Sequence, residues 1–254
     1  MTTTDPLHLQ TVEGFGTVRV DPVDPDRDAV LIHGWVNEDR ARFWGMGGTT
    51  VEQVREVYAH LDSLTTHHGF LVRRDGVPVA LFQTYDPAAD RVGECYDVLP
   101  GDVGVHLLIA PSATPERGFS AGLLTALTAF TLARHVRVVA EPDAANEKAI
   151  ARLVRSGFEL GPEVVLPEVD LPEVFLPEKR ARLAFFSRRQ PAGAGEPRRI
   201  VTDKSAAEPA RTGRSRRSAP VPPAATGPAS GADDSGRRRP VPPVRPGVSR
   251  SPVR

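Results

Sequence analysis

Hydrophobic positions along the chain follow two spacings, and each predicts a different element. Short apolar runs over 69–74, 77–85, 104–110 and 137–141 are typical of buried strands, and Asp75-Gly76 between the first two predicts a hairpin turn. Apolar residues three and four apart over 51–64 and 123–132 predict amphipathic helices, the first capped by Thr49 or Thr50. A further helix is expected after Asn146, ending at Gly157-Phe158.

The ends of this pattern are less regular. Residues 7–20 alternate weakly and predict one or two short strands, 21–28 form a Pro/Asp-rich turn, 29–35 predict an apolar strand and 38–43 a short helix. Leu-Pro-Glu recurs at 166–168, 171–173 and 176–178, and Pro at every fifth position excludes a helix and favours an extended surface loop. The spacing over 179–188 permits a strand or a helix.

The most informative stretch is the run 104–110 with the small-residue segment that follows it. One titratable side chain, His106, interrupts the apolar strand, and Arg117-Gly118-Phe119-Ser120-Ala121-Gly122 opens the next helix. A helix N-terminus presents unpaired N–H groups and a partial positive charge, so this turn predicts an anion cradle. A second strand over 137–141 and its helix repeat the arrangement, which favours a parallel strand–helix–strand core for an acyl-CoA enzyme.

Composition divides the chain of 254 residues at about residue 190. Beyond that point there are twelve Pro, twelve Arg and no aromatic residue, so the segment cannot bury enough apolar surface to offset its ordering entropy. We therefore expect one folded domain over 1–189 and a disordered tail over 190–254. The net charge of zero hides an acidic domain of net −8 and a basic tail of net +8. The tail is interpreted as a solubilising end, with loose contact to the domain or to a polyanion as the alternative.

The remaining composition excludes several classes of protein. Cys95 is the only cysteine, so an intramolecular disulfide and a cysteine metal cluster are both excluded. The N-terminus lacks the features of a signal peptide, and no apolar run reaches the roughly 18 residues of a membrane span. His60, His67 and His68 cluster without supporting ligands, so no metal is expected. We expect a cytoplasmic monomer that binds neither membrane nor nucleic acid.

Several segments, in this order, resemble the siderophore-biosynthesis branch of the GNAT N-acyltransferase superfamily, which includes aerobactin-type hydroxylysine acetyltransferases and mycobactin-type lysine N-acyltransferases. The resemblance covers about residues 30–190. The segments that carry it are His33-Gly34-Trp35-Val36-Asn37 with Phe43-Trp44-Gly45-Met46, the run 101–109, Arg117-Gly118-Phe119-Ser120, the run 138–143 with Asn146 and Gly157-Phe158, and Leu176-Pro177 with Lys179, Ala181 and Leu183.

The resemblance implies a fold and a set of roles. The fold is α+β, a mixed and mostly antiparallel sheet with a splayed central pair of parallel strands flanked by helices. His106 and Asp143 are implied as the catalytic residues, and the neighbouring strand is expected to bring them together. Which of the two is the base stays open. Acyl-CoA, as acetyl-CoA or a longer thioester, is the implied co-substrate, with no metal.

The implied binding residues fall into two sets. The N–H of Leu108 would hold the thioester carbonyl, the segment Arg117, Gly118, Phe119, Ser120, Ala121 and Gly122 the diphosphate, and Asn146 the pantetheine arm, although Asn146 is equally suited to cap a helix. The acceptor would contact His33, Trp35, Asn37 and Trp44. Ser120 departs from the Arg-x-x-Gly-x-Gly form of the superfamily, since it replaces the first Gly.

The expected acceptor is a small amine or hydroxylamine, and other enzymes of the siderophore pathway are candidate partners. A lysine ε-amine, with a pKa near 10.4, needs a base at neutral pH, whereas a hydroxylamine is already neutral. A His/Asp pair serves both, so the acceptor is not decided. Two alternatives stay open: another small-molecule GNAT enzyme, such as an aminoglycoside-type acetyltransferase, and a non-catalytic binding module.

Overall fold

The computed structural model describes residues 7–171 and 174–188. Ten strands and four α-helices make up this part of the chain. The helices are α1 (Pro25–Val36), α2 (Val51–Asp62), α3 (Phe119–Leu132) and α4 (Glu147–Arg155). The strands are β1 (His8–Val12), β2 (Gly16–Pro22), β3 (His67–Arg74), β4 (Val77–Tyr85), β5 (Asp102–Ile109), β6 (Arg137–Ala140), β7 (Glu159–Leu166), β8 (Val169–Leu171), β9 (Val174–Leu176) and β10 (Lys179–Ser187). Short 3-10 helices span Asp39–Trp44, Pro87–Ala89 and Arg91–Glu94.

Eight strands form one mixed sheet in the order β1-β2-β3-β4-β5-β6-β10-β7. The neighbours pair antiparallel except β5 and β6, which are parallel. The predicted mixed sheet with a central parallel pair is therefore confirmed. β8 and β9 pair antiparallel as a separate two-stranded sheet, so the described residues of the Leu-Pro-Glu region include two short strands where a surface loop was expected. The open choice over 179–188 is decided as a strand.

The parallel pair separates along its length. Pairing between β5 and β6 ends at Gly104 and Val139, while β5 continues to Ile109 beside β4. From Val105 onward one edge of β5 has no strand partner among the described residues. The sheet thus opens at the carboxyl ends of its two parallel strands, where α3 and α4 begin.

The expected strand over 29–35 is wrong: the segment lies inside α1. Asp24 caps this helix by accepting from the N–H groups of Asp26 and Arg27, and Pro25 occupies its first position. These two signals at the end of the expected turn 21–28 start a helix, because Pro fits the first turn and the Asp side chain satisfies orphan N–H groups. The apolar run then supplies the buried side of α1, including Ile32 and Val36.

The other helices and the hairpin agree with the sequence. Thr50 and Gln53 form a capping box at the start of α2. Asp75 (φ 49°) and Gly76 (φ 83°) form the β3–β4 turn with positive φ at both positions, as an Asp-Gly hairpin requires. The helices predicted near Ser120 and Asn146 are present as α3 and α4.

The core lies on both faces of the sheet. α1, α2 and the Asp39–Trp44 segment pack with Leu71, Leu81 and Leu108 on one face. Phe15, Phe70, Phe82 and the apolar side of α3 pack on the other. Side chains alternate along a strand, so His106 shares the α1/α2 face with Leu108.

The described part of the chain contains no helix long and apolar enough to cross a membrane. The basic segment 190–254, for which we expect disorder, lies outside the described residues.

Candidate active site at the open edge of the sheet

The side chain of His106 lies in a buried polar cluster. Its Nε2 is 2.5 Å from Oε1 of Glu141, and its Nδ1 is 3.2 Å from Oε1 of Gln83. The Tyr85 hydroxyl donates to the second carboxylate oxygen of Glu141 at 2.8 Å. Both ring nitrogens of His106 therefore have a partner, and both oxygens of Glu141 do as well.

The surroundings of Glu141 favour the ionised form of its carboxyl. It is 4% exposed, and although burial opposes its charge, the adjacent His106 together with Lys179 and the Tyr85 hydroxyl lowers the pKa of its carboxyl. A buried carboxylate stays charged only when such partners compensate for the lost water. An ionised carboxylate accepts hydrogen bonds and does not donate them, so Nε2 of His106 carries a proton toward Glu141.

The predicted partner of His106 was Asp143, and this prediction is wrong for the structure. The carboxylate that meets the imidazole belongs to Glu141, the residue directly after β6. Asp143 lies beyond Pro142, where the chain has turned to bridge with Ala181 on β10. Its Oδ1 accepts from the N–H of Ala145 at 2.8 Å. Asp143 nevertheless stands half-buried at the carboxyl end of β6, with acceptor capacity that Glu141 lacks.

Gly104 makes room for this cluster. A Cβ atom at Gly104 would lie 2.1 Å from the ring of Tyr85, which crosses β5 at this position. Tyr85 is paired with Gly104, and Gln83 is paired with His106, in the β4–β5 register. No role was predicted for Glu141, Tyr85 or Gln83. The sequence feature that could have identified them is a polar residue in an otherwise apolar strand, at a position that strand pairing brings beside His106.

The backbone of β5 offers hydrogen-bonding groups along its open edge. Two sets of backbone hydrogen bonds show which way the N–H and C=O groups of each β5 residue point. The carbonyl of Gly101 accepts from the N–H groups of Val136 and Arg137, on the β6 side, and the N–H of Ala110 donates to the Val79 carbonyl, on the β4 side. Odd-numbered residues thus face β6 or the open edge, and even-numbered residues face β4. The N–H of Leu108, expected to hold a thioester carbonyl, is consequently directed at β4. The N–H groups of Leu107 and Ile109 face the open edge instead.

The N-terminus of α3 fits an anion. Side chains of Asp24, Thr50 and Asn146 cap the other three helices of the described chain, but Gly118 (φ 83°) precedes α3 without any side-chain cap. Arg117 lies exposed directly before it. Arg74, which the sequence analysis did not single out, reaches the same end of α3 and pairs with Glu116 at 2.5 Å.

The predicted cradle residues differ in their surroundings. Phe119, Ser120 and Ala121 form the exposed or half-buried first turn of α3. Gly122 has a packing reason for its missing side chain, because a Cβ there would lie 2.5 Å from the ring of Phe15. Asn146 caps α4 by accepting from Ala149 N–H at 3.2 Å, and its amide nitrogen stays available as a donor.

The predicted acceptor residues are only partly brought to the site. Trp44 is close: its ring centre lies 6.3 Å from that of His106, edge to face. Trp35 is 6% exposed and packed in the core beneath α1. Asn37 ends α1, donating to the carbonyls of His33 and Thr49 and accepting from Gly48 N–H, while His33 lies half-buried in the last turn. Trp35 and Asn37 therefore have structural roles.

The surroundings of His67 and Cys95, two residues considered above as possible metal ligands, are described by the structure. His67 is buried, stacked on Tyr85 at 5.6 Å, with Nδ1 2.9 Å from the Thr66 hydroxyl. Cys95 is a free thiol. No group of three or more His, Cys, Asp or Glu side chains in the described part of the chain is arranged to hold a metal ion.

A parallel strand pair opens beside an uncapped helix N-terminus, and a half-buried histidine contacts a buried carboxylate at this opening. This arrangement is typical of an α+β protein of the acyltransferase class. The chain belongs to the acetyltransferase (GNAT) domain family, whose model matches residues 24–166. Members of this family transfer acyl groups from acyl-CoA to an acceptor.

Two curated relatives are similar to part of this chain. An N(6)-hydroxylysine O-acetyltransferase of Escherichia coli is 30% identical over an alignment of 142 residues that covers 53% of this chain and 44% of the relative. The lysine N-acyltransferase MbtK of Mycobacterium sp. (strain MCS) is 28% identical over 132 residues, 50% of this chain and 54% of the relative. The chain spans about half the length of the curated relatives it matches.

Solved structures agree with the fold. An uncharacterized protein of Bacillus halodurans is similar with a TM-score of 0.58 and 23% identity, over 72% of this chain and 92% of that one. The aminoglycoside acetyltransferase AAC(6')-Ib in complex with coenzyme A is similar with a TM-score of 0.54 and 20% identity, over 67% and 95%. At these identities the likeness establishes the fold alone.

Proposed function

We propose that this chain is an acyl-CoA-dependent N-acyltransferase of siderophore biosynthesis, acting on the ε-amine or N6-hydroxylamine of a lysine-like acceptor. The observation that carries the proposal is the polar cluster around His106 at the open edge of β5. The two curated relatives, whose names specify lysine and N6-hydroxylysine, support the acceptor class.

The co-substrate supplies an acyl group activated as a thioester. The uncapped end of α3, with Arg117 and Arg74, suits the CoA diphosphate, because N–H groups and guanidinium groups both favour phosphate oxygens. The open edge of β5 suits the pantetheine amides. The N–H groups of Leu107 and Ile109 replace that of Leu108 as candidate donors to the thioester carbonyl, since they face this edge.

Proton removal is assigned to Asp143. An attacking lysine amine is protonated at neutral pH and must lose a proton before it forms the new C–N bond. Both nitrogens of His106 are engaged by Glu141 and Gln83, whereas the Asp143 carboxylate keeps free acceptor capacity. We therefore assign Asp143 as the base, and His106 with Trp44 as the wall against which the acceptor nitrogen lies.

The test is product analysis with the full chain. Lysine and N6-hydroxylysine are each incubated with a panel of acyl-CoAs, the released CoA thiol is measured and the products are fragmented in a mass spectrometer. The proposal predicts thiol release and a product acylated on the side-chain nitrogen. Fragmentation separates N-acylation from the O-acylation that the Escherichia coli relative is named for. Turnover of an aminoglycoside and neither lysine acceptor would contradict the proposal.

A further inference from the structure

Gln83 is a buried polar side chain in the middle of the sheet. It is 4% exposed and lies on β4 directly opposite His106 in the register. Its amide stands between two groups: Oε1 is 3.2 Å from Nδ1 of His106, and Nε2 donates to the Tyr58 hydroxyl at 3.3 Å. A buried amide with partners on both sides orients what it touches.

The two sides of the His106 ring are held differently. Nε2 lies 2.5 Å from the Glu141 carboxylate, which the Tyr85 hydroxyl holds on its other side. Nδ1 lies 3.2 Å from the Gln83 amide. The orientation of the ring therefore depends on the amide as well as on the carboxylate.

Gln83 can satisfy Nδ1 in both states. Its carbonyl oxygen accepts from a protonated Nδ1, and its NH₂ group donates to an unprotonated one. The Tyr58 hydroxyl can both accept and donate, so it complements either orientation of the amide. A hydrocarbon side chain in this place would leave Nδ1 buried without a partner, and a carboxylate would put a second anion beside the ring.

We propose that Gln83, backed by Tyr58, is a positioning residue that holds the His106 imidazole in one orientation. Its bearing on catalysis rests on the function proposed above. The other groups that face the ring or its partner are Glu141 after β6, Lys179 on β10, Tyr85 on β4 and Trp44 from the 3-10 helix. Gln83 is the one among them that meets Nδ1, so its effect is separable from theirs.

The test observes the ring directly, in full-length protein labelled with ¹⁵N-histidine. Long-range ¹H–¹⁵N spectra report the tautomer and titration of each imidazole, and His106→Ala identifies the His106 signals. Gln83→Glu is expected to shift the Nδ1 signal of His106, because a carboxylate accepts from this atom but cannot donate to it. Gln83→Met is expected to broaden the His106 ring signals, because Nδ1 loses its partner, and to lower kcat about tenfold without changing the KM for acyl-CoA.

The chain offers a matched control. Gln10 contacts His8 at 3.2 Å on β1, remote from the site in the sheet order. Gln10→Met should leave the His106 signals and turnover unchanged. Tyr58→Phe keeps the ring volume of Tyr58 and should partly reproduce Gln83→Met, which guards against misfolding as the explanation.

The outcomes separate this inference from the proposed function. Wild-type His106 ring signals in both Gln83→Glu and Gln83→Met would overturn the role of Gln83, whatever the turnover. Altered His106 signals in a protein that acylates neither lysine acceptor would support the positioning role and contradict the proposed function.

Discussion

Polar and aromatic residues occur in two regions, the open end of the β5–β6 pair and the segment from α1 to Trp44. Their contacts differ between the two regions. At the open end, the half-buried His106 lies within hydrogen-bond distance of two buried side chains, Gln83 and Glu141. In the segment from α1, Asn37 bonds to the backbone and Trp35 packs in the core. In this protein the polar side chains that contact one another lie at the candidate active site. Those that bond to backbone groups stabilise the fold.

The largest expected effect falls on the open end. His106→Ala should lower kcat for lysine by about 10²-fold, the scale of a misplaced reacting group, because the acceptor nitrogen loses the wall against which it lies. Affinity for CoA should stay near wild type because α3 is untouched. Steady-state kinetics and CoA titration measure both quantities. His60→Ala, on the exposed side of α2, is the control, and equal losses in the two variants would remove the distinction between the regions.

The segment from α1 should respond in stability instead. Trp35→Ala is expected to cost about 3–5 kcal/mol of unfolding free energy, since it deletes a large buried side chain, and Trp35→Phe should restore most of it without changing the KM for the acceptor. Denaturant melts and acceptor kinetics check the two expectations. A raised acceptor KM in a fully folded Trp35→Phe protein would move Trp35 back to the acceptor site.

The pH dependence of stability sharpens the comparison further. The pKa of Glu141 is lowered in the folded protein, so the unfolded chain binds this proton more readily. The contribution of ionised Glu141 to the free energy of unfolding is therefore present above about pH 4.3, and it is lost as pH falls through the native pKa. Glu141→Gln should cost about 1.5–3 kcal/mol at neutral pH, the worth of a charge-assisted hydrogen bond, and should flatten the acid limb.

Denaturant melts between pH 2 and 7 measure this limb. Burial opposes the charge of Asp102, but its pairing with Arg137 lowers the pKa of its carboxyl. Asp102 should therefore still cause some loss of stability at low pH in the Glu141→Gln protein. Superimposable acid limbs for wild type and Glu141→Gln would contradict an ionised Glu141.

The smallest effect is expected from the C-terminal tail. Truncation after Arg189 should leave the melting temperature and kcat near those of the full chain, because the removed residues contain no aromatic side chain and few large aliphatic ones. Aggregation of the shortened protein, or loss of most of its turnover, would give 190–254 a structural role.

The sequence predicts more of the strand–helix unit than of the site around it. The parallel pair, the β3–β4 hairpin and the starts of α3 and α4 follow from periodicity and turn residues. The strand expected over 29–35 was wrong because the cap at Asp24 and Pro25 outweighs the apolar run. A local apolar pattern cannot separate a buried strand from the buried side of a helix.

The site shows a similar limit. His106 stands out as one titratable residue in an apolar strand, but its partner depends on where β6 ends and the chain turns, which placed Glu141 and not Asp143 beside it. The direction of the Leu108 N–H depends on the β4–β5 register. Both are consequences of pairing between distant strands, for which a single sequence carries little signal.

Asp143→Asn provides the most direct test of the account, through its kcat/KM with two acceptors. The account predicts a loss of about 10²–10⁴-fold with lysine, whose protonated amine needs a base, and a much smaller loss with N6-hydroxylysine, which is neutral at pH 7. Wild-type and variant proteins are compared at the same acyl-CoA concentration. Equal, small losses with both acceptors would mean that Asp143 is no base, and the assignment of the open edge as the catalytic site would fail.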